Sequence, residues 1–306
     1  MFFSPFLSFR CKIIHRTIVQ IGVKTCQTLG KGTMTPEQTM ESPLFYEETG
    51  DGKDIVLFFH GFPFDHTMWL EAAKHLPQNR RLIFPDLRGF GNTQLQVLAV
   101  TSMFRFAQDA ADIIDNLDAR ASNEASKVVV CGLSMGGYIA MHFVRHFGER
   151  FGNRLAGLIL CDTKSQADSE TMAQNRRQRA DALPKAGLGA LADAMIPNLF
   201  ATQTGKDIRE NVRQMILRQP LPGVAAADRG MAERPDATSW LTDFSLPTLV
   251  ICGKQDNITP VDEMRCMSDR MPDSRFVVVP NAGHLSPIES PKEFSAVVKT
   301  FFDEIF

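Results

Sequence analysis

The sequence predicts an α/β fold: a mostly parallel β-sheet flanked by helices, with a helical segment inserted between two of its strands. Three observations carry this. Short apolar runs rich in β-branched and aromatic residues recur from Pro43 onward, and most are continuous rather than alternating. Continuous runs are what strands covered on both faces require. Helical patterns separate the runs, and strand alternating with helix over such a length means a parallel sheet with helices packed on it. Thirdly, the alternation lapses once, between Asp162 and Leu246, where no convincing strand occurs.

The strands are expected at Leu44–Glu47, Ile55–His60, Arg81–Pro85, Val128–Gly132, Leu155–Cys161, Thr248–Cys252 and Arg275–Val279. Helices are expected at Thr67–His75, Ser102–Leu117, Met135–Phe147, Val261–Met271 and Pro291–Ile305. In the last, Phe294, Val297, Val298, Phe301, Phe302 and Ile305 recur at helical spacing and read as one buried face. Inside the lapse, Glu170–Leu183, Leu188–Leu199 and Asp207–Leu217 look helical, with Pro184, Pro197, Pro220 and Pro222 as punctuation. An insertion this long is not a bare loop in a compact domain and should have structure of its own. The domain reading is an N-terminal extension at 1–40, a core formed by 41–163 and 241–306, and a helical insertion at 164–240.

Composition narrows the classes. The 306 residues are 44% hydrophobic and 22% charged, which excludes a disordered or fibrous chain. The 33 Lys and Arg stand against 35 Asp and Glu, so the charge of −2 gives no electrostatic argument for nucleic acid or an anionic membrane as partner. Up to Pro36 the chain holds Arg10, Lys12, Arg16, Lys24 and Lys31 and no acid. Its apolar start, Met1–Phe9, is interrupted by Pro5 and falls far short of the ~20 residues of a spanning helix. The charges follow the apolar run instead of preceding it, unlike a secretory signal. A disordered tail, a start at Met34 or Met40, and a targeting segment are the readings open for this extension. The six cysteines show no C-x-x-C pair and no zinc spacing; they read as small buried hydrophobes in a reducing, cytoplasmic setting.

Four motifs carry chemistry. Gly132-Leu133-Ser134-Met135-Gly136 fits G-x-S-x-G, follows a strand and opens a helix. Such a sharp turn exposes the Ser134 hydroxyl at the end of the sheet and near a helix N-terminus, where negative charge is favoured. Phe59-His60-Gly61-Phe62-Pro63 ends an earlier strand. There the N–H of Phe62, with that of Met135, can form an oxyanion hole, while His60 orients the loop. Asp256 follows the strand LVIC, and His284 follows FVVVP. Asp162 also ends a strand and rivals Asp256 for the acid role. Serine, acid and histidine in the order Ser134, Asp256, His284, each on a loop after a strand, is the order of a serine-hydrolase triad on an α/β sheet.

With these residues in place, roughly 43–306 resembles the α/β-hydrolase fold superfamily. Asp86-Leu87-Arg88-Gly89-Phe90-Gly91-Asn92-Thr93 adds to the likeness, with Thr93 where the family often has Ser. The resemblance implies that the insertion is a helical cap over the active site. A serine at the elbow separates this chain from haloalkane dehalogenases and epoxide hydrolases, which use Asp there. The runs Gly132–Phe143 and Gly157–Lys164 look most like 3-oxoadipate enol-lactonases and related small esterases, a group that also includes cofactor-free haloperoxidase-like enzymes.

The expectation is a hydrolase of carboxylic esters or lactones, working through an acyl-enzyme with Ser134, His284 and Asp256, and needing no metal or organic cofactor. Its partner is a small ester or lactone. Carbon–carbon bond hydrolysis or perhydrolysis on the same triad is the alternative, and a non-catalytic ligand-binding protein the alternative of another class. Phe64, Met68 and Trp69 follow the oxyanion strand and, with Met135 and Leu285, are candidates to line the pocket; each is equally well explained as packing. Arg176, Arg177 and Arg179 form a basic cluster in the cap, which pairs with a substrate carboxylate if it faces the pocket. Phosphate-loop and dinucleotide motifs are incomplete. His142 and His146 are spaced i, i+4, but a metal there needs a further ligand.

Overall fold

The computed structural model describes residues 44–118 and 126–306, so the reading of 1–40 lies outside the described residues. Among the described residues, seven strands form one sheet in the order β1-β3-β2-β4-β5-β6-β7. They are β1 (Tyr46–Thr49), β2 (Ile55–Phe59), β3 (Arg81–Pro85), β4 (Val128–Leu133), β5 (Leu155–Cys161), β6 (Thr248–Gly253) and β7 (Ser274–Val279). Only β1 is antiparallel, pairing Tyr46 with Pro85 and Thr49 with Leu82. Every other pair is parallel, for example Phe59 with Gly132 and Cys161 with Ile251. All residues of β2, β4 and β6 are buried, which accounts for their unbroken apolar runs. Edge strand β1 is only half-buried and begins two residues later than its apolar signal, because Leu44 is buried ahead of the strand.

The flanking helices are α1 (Leu70–Ala73), α2 (Met103–Asp118), α3 (Met135–Phe151), α7 (Val261–Ser268), α8 (Ser286–Glu289) and α9 (Pro291–Ile305). The predicted helix Thr67–His75 resolves into a 3-10 turn, His66–Trp69, leading into α1. In α2 the buried residues Met103, Phe106, Ala110, Ile113, Ile114 and Leu117 follow the helical period. In α9, Phe294, Val298, Phe301 and Phe302 form the buried face, and Ser295 joins it by donating to the Ala72 carbonyl at 2.8 Å. Aromatic rings knit helix to sheet: Phe58 stacks on Phe84 at 4.9 Å, Trp69 meets Phe58 at 5.2 Å, and Phe294 meets Trp69 at 6.0 Å.

Between β5 and β6 lie α4 (Glu170–Leu199), α5 (Lys206–Leu217) and α6 (Leu221–Ala232), then a 3-10 segment, Thr238–Asp243. This is the helical cap. As expected from the sequence, α4 consists of two helical stretches, and they meet at Gly187, whose φ of 77° breaks the helical path. Helix α6 was not expected, because Pro220 and Pro222 mark its start and not a loop; proline is tolerated in a first helical turn, where its missing N–H costs nothing. The cap is tied to the core at Asp65. Its Oδ2 accepts from Arg218 Nε and Gln219 Nε2, both at 2.8 Å, and its Oδ1 from Arg218 and the Thr67 N–H.

Candidate active site

The sheet order brings the predicted loops together. Ser134 follows β4, Phe62 follows the adjacent β2, Asp256 follows β6 and His284 follows β7. All leave from the carboxyl ends of parallel strands, where an open α/β sheet forms its crevice.

At the elbow, Ser134 has φ 55° and ψ −113°, an unfavourable conformation for a residue with a side chain. Its neighbours over-determine it. The Ser134 N–H donates to the Cys161 carbonyl at 2.9 Å, and its carbonyl accepts from the Thr163 hydroxyl at 2.8 Å. A Cβ on Gly132 would lie 2.0 Å from the Gly136 oxygen, and one on Gly136 would lie 2.1 Å from the Phe59 oxygen. Only glycine lets β4, α3 and β2 approach this closely.

The Ser134 hydroxyl lies 3.0 Å from His284 Nε2, and His284 Nδ1 lies 2.8 Å from Asp256 Oδ2. A carboxylate accepts only, so Nδ1 carries the proton and Nε2 is free to accept from serine. Asp256 is anchored from the other side: Oδ1 accepts the N–H groups of Ile258 at 2.8 Å and Thr259 at 3.0 Å, and Oδ2 accepts the Thr259 hydroxyl at 2.5 Å. Burial alone would lower the pKa of His284, but the charge and hydrogen bond of Asp256, helped by Asp162 and Glu289, outweigh it and raise the pKa above 6.5. Burial alone would raise Asp256, yet the His284 charge and the hydrogen bonds of His284 and Thr259 hold it below its ordinary value.

Asp162, the rival acid, makes no hydrogen bond to His284. Its Oδ1 accepts the Gly253 N–H at 2.7 Å and its Oδ2 meets the Ser286 hydroxyl at 2.5 Å. Burial, then the nearby charge of Asp256, pushes its pKa up to about 8.

The N–H groups of Phe62 and Met135 donate to no group among the described residues. Their loop is held from behind: Gly61 N–H points to Met68 Sδ at 3.2 Å. His60 is buried, and its Nε2 accepts the Leu87 N–H at 3.1 Å, so its Nδ1 donates to the Gly61 carbonyl at 2.9 Å. Burial lowers its pKa, which keeps it a neutral strut. Thr93 keeps a hydroxyl role, donating to the Asp86 carbonyl at 2.5 Å and accepting the Phe45 N–H at 3.0 Å.

A pocket of about 310 Å³ opens on Ser134 and His284, walled by Phe62, Tyr138, Arg176, Arg179, Met195, Asn198, Leu199, Met231 and Ile258. The candidates Phe64, Trp69 and Leu285 are not among its walls; all three are core residues, 1%, 1% and 0% exposed. The 3-10 turn after the Gly61-Phe62 loop aims Trp69 back at Phe58 and Phe294. The cap supplies most of the wall, and no local pattern in the sequence marks which cap residues face inward. Arg176 and Arg179 do; Arg177 pairs with Glu170 on the exposed side. A larger hollow, about 800 Å³, lies at the amino ends of β4, β5 and β6, away from Ser134.

Among the described residues, two clusters each bring three side chains of metal-ligating type together: Asp65, His66 and Asp86, and Asp162, Cys252 and Asp256. Both are engaged in internal bonds, His66 Nδ1 with Asp86 at 2.7 Å and Cys252 Sγ with the Gly253 carbonyl at 3.4 Å. No described helix is long and apolar enough to cross a membrane.

A strand-serine-helix elbow, a serine-histidine-aspartate hydrogen-bond chain and a helical cap on one mostly parallel sheet are the features of a class of hydrolase. The chain belongs to the alpha/beta hydrolase family, whose family model matches residues 56–297. It is 43% identical to a thermophilic esterase from Thermogutta terrifontis, solved with malate bound, with a TM-score of 0.80 over 86% of this chain and 93% of that one. It is 26% identical over 253 residues to 3-oxoadipate enol-lactonase 1 of Acinetobacter baylyi, covering 82% of this chain and 89% of that protein. It is also 26% identical over 268 residues to the pimeloyl-acyl-carrier-protein methyl ester esterase of Aeromonas hydrophila, covering 83% and 97%. Its relatives thus include esterases and lactonases.

Proposed function

We propose that the protein hydrolyses small carboxylic esters or lactones through a covalent intermediate on Ser134. The observation that carries this reading is the unbroken hydrogen-bond chain from Ser134 through His284 to Asp256, beside two undirected backbone N–H groups. As Ser134 Oγ attacks the carbonyl carbon, its proton passes to His284 Nε2, and Asp256 stabilises the imidazolium. The carbonyl oxygen becomes an oxyanion held by the N–H groups of Phe62 and Met135, each such donor contributing about 10²–10³ in rate. His284 returns the proton to the leaving oxygen. It then takes one from water, which attacks the acyl carbon and restores Ser134.

The pocket supports a small acyl group, since 310 Å³ is near the lower end for ligand sites. Its charge supports an acidic one. Arg176 reaches Asp168 and Asp228, Arg179 reaches Asp228, and Arg234 reaches Asp168. Three guanidinium groups share two buried carboxylates, which leaves one positive charge beside the pocket for a substrate carboxylate. The malate in the Thermogutta esterase and the 3-oxoadipate in the Acinetobacter lactonase's name agree with such a preference.

The test is hydrolysis of a short aryl ester, a neutral lactone and 3-oxoadipate enol-lactone by wild type and Ser134→Ala. Turnover is expected to fall by about 10⁶-fold in the variant with the fold kept, and the acidic lactone to be preferred. Full activity in Ser134→Ala would end the assignment; a preference for neutral substrates would end only the acidic reading.

A further inference from the structure

The loop that carries His284 is fastened to the end of cap helix α4 by one carboxylate. Glu289 Oε1 accepts the N–H of Gly283 at 2.9 Å and that of Leu285 at 3.2 Å. The peptide groups on either side of His284 therefore converge on a single oxygen. Oε2 accepts the N–H of Ala201 at 2.8 Å and the hydroxyl of Thr204 at 2.5 Å, both just beyond α4. Four donors fill the acceptor capacity of the carboxylate. The N–H of His284 itself donates to the Leu199 carbonyl at 2.9 Å. Three successive N–H groups of the histidine loop are thus spent on one seam, two through Glu289 and one directly.

The seam is a backbone-to-backbone contact. A Cβ on Gly283 would lie 2.7 Å from the Ala201 nitrogen and 2.7 Å from the Phe200 carbonyl carbon. The same end of α4 presents Asn198 and Leu199 to the pocket. Cap residues at the substrate side and the base of the reaction are therefore joined across a single turn of chain.

We propose that Glu289 is a positioning residue that locks the His284 loop to the carboxyl end of α4, so that the seating of the cap sets where the base stands relative to Ser134. This rests on the reading of His284 as the base. Among the described residues Glu289 makes no hydrogen bond to Ser134 or to the His284 ring. Its charge adds a minor part to the raised pKa of His284; its main effect passes through backbone geometry, where displacement of a reacting group by about 1 Å is enough to cost about 10²-fold.

The experiment is steady-state hydrolysis of a short aryl ester by the full chain and by Glu289→Ala, Glu289→Gln, Thr204→Val and Ser134→Ala, with thermal melts of each. Inactivation by a small fluorophosphonate, which needs Ser134 and His284 and little of the pocket, is the second readout. Glu289→Ala is expected to lower kcat by about 10²-fold, with KM within about threefold. Its fluorophosphonate rate should fall in parallel while it remains folded at the assay temperature. Glu289→Gln keeps one accepting oxygen and should fall between. Thr204→Val removes a single cap-side donor and should lower kcat by a smaller factor. A folded Glu289→Ala with wild-type kcat and inactivation rate would overturn the proposal. So would an effect confined to KM. If Glu289→Ala does not fold, wild-type kcat in both Glu289→Gln and Thr204→Val would overturn it as well. An active Ser134→Ala would instead overturn the site reading beneath it.

Discussion

Replacing Asp256 by Asn tests which carboxylate serves His284. Asp256 Oδ1 holds two backbone N–H groups, so the amide oxygen of Asn stays on that side. The amide nitrogen then takes the place of Oδ2 and faces His284 Nδ1 across 2.8 Å. Two donors cannot share that contact. The imidazole must turn Nδ1 into an acceptor and carry its proton on Nε2, where it can no longer take one from Ser134. The wrong tautomer costs about 10⁴ in kcat, or about 5.4 kcal/mol of transition-state stabilisation. Asp162→Asn is the control. Its Oδ1 still accepts from Gly253 and its amide can donate to the Ser286 hydroxyl, at the cost of the long 3.3 Å bond from the Ser286 N–H, with the hydrogen bond at His284 Nδ1 unchanged. Activity should stay within about tenfold of wild type. The assay is kcat/KM for an aryl ester from pH 5 to 9, read alongside a melt. In wild type the acid limb should lie above 6.5, because His284 must be neutral and its pKa is raised. In Asp256→Asn the chief raising influence is gone and the residual activity should titrate at lower pH. Equal losses in the two variants, or a near-silent Asp256→Asn, would refute the assignment.

Two further predictions concern stability. His142 lies against Trp240 and His146, and burial, with the His146 charge, lowers its pKa from 6.5 to about 4. The unfolded chain therefore binds a proton at higher pH than the folded one, and stability present above pH 6.5 is lost as pH falls towards 4, by up to about 3 kcal/mol. His142→Phe should flatten the fall in Tm between pH 7.5 and 5; an unchanged slope would show that His142 does not titrate this way. Arg88, 1% exposed, meets both oxygens of Asp109 at 2.8 Å. Arg88→Ala strands that buried carboxylate with Arg105 as remaining partner and should lower unfolding free energy by about 3–5 kcal/mol in urea titration. A loss below about 1 kcal/mol would mean the site rehydrates.

The sheet was legible because its signals are local. Each of β2, β4 and β6 announces itself by a fully apolar run, and each is followed at once by the residue that matters: Phe62, Ser134 or Asp256. Strand order then needs no side-chain information to bring those residues together. The pocket was not legible, because its walls come from the cap, where the direction of Arg176 or Met195 depends on how α4 crosses the sheet's end. Trp69 looked like a wall by proximity in sequence, yet the 3-10 turn before α1 sends it into the core. Glu289 left one faint mark: an acid five residues beyond His284, after Ser286-Pro287, where α8 turns the chain back on itself. Helix α6 has no clear signal in the sequence, because Pro220 and Pro222 have the pattern of helix breakers yet sit where a helix can begin.

The fastening at Asp65 bears on how freely such caps can be exchanged. Asp65 belongs to the core, immediately after the Phe62 loop, and is 2% exposed. Its counter-charge and one of its amide donors come from Arg218 and Gln219 in the insertion, and Gln219 also reaches back to accept the Gly91 N–H at 3.0 Å. The core is therefore incomplete as an electrostatic object without this particular insertion. A chimera that grafts a foreign cap onto this sheet inherits an orphaned anion beside the Phe62 loop unless the graft carries an equivalent Arg-Gln pair or Asp65 is neutralised with it. Modularity in this chain stops at that residue: the cap and position 65 travel as one unit of inheritance.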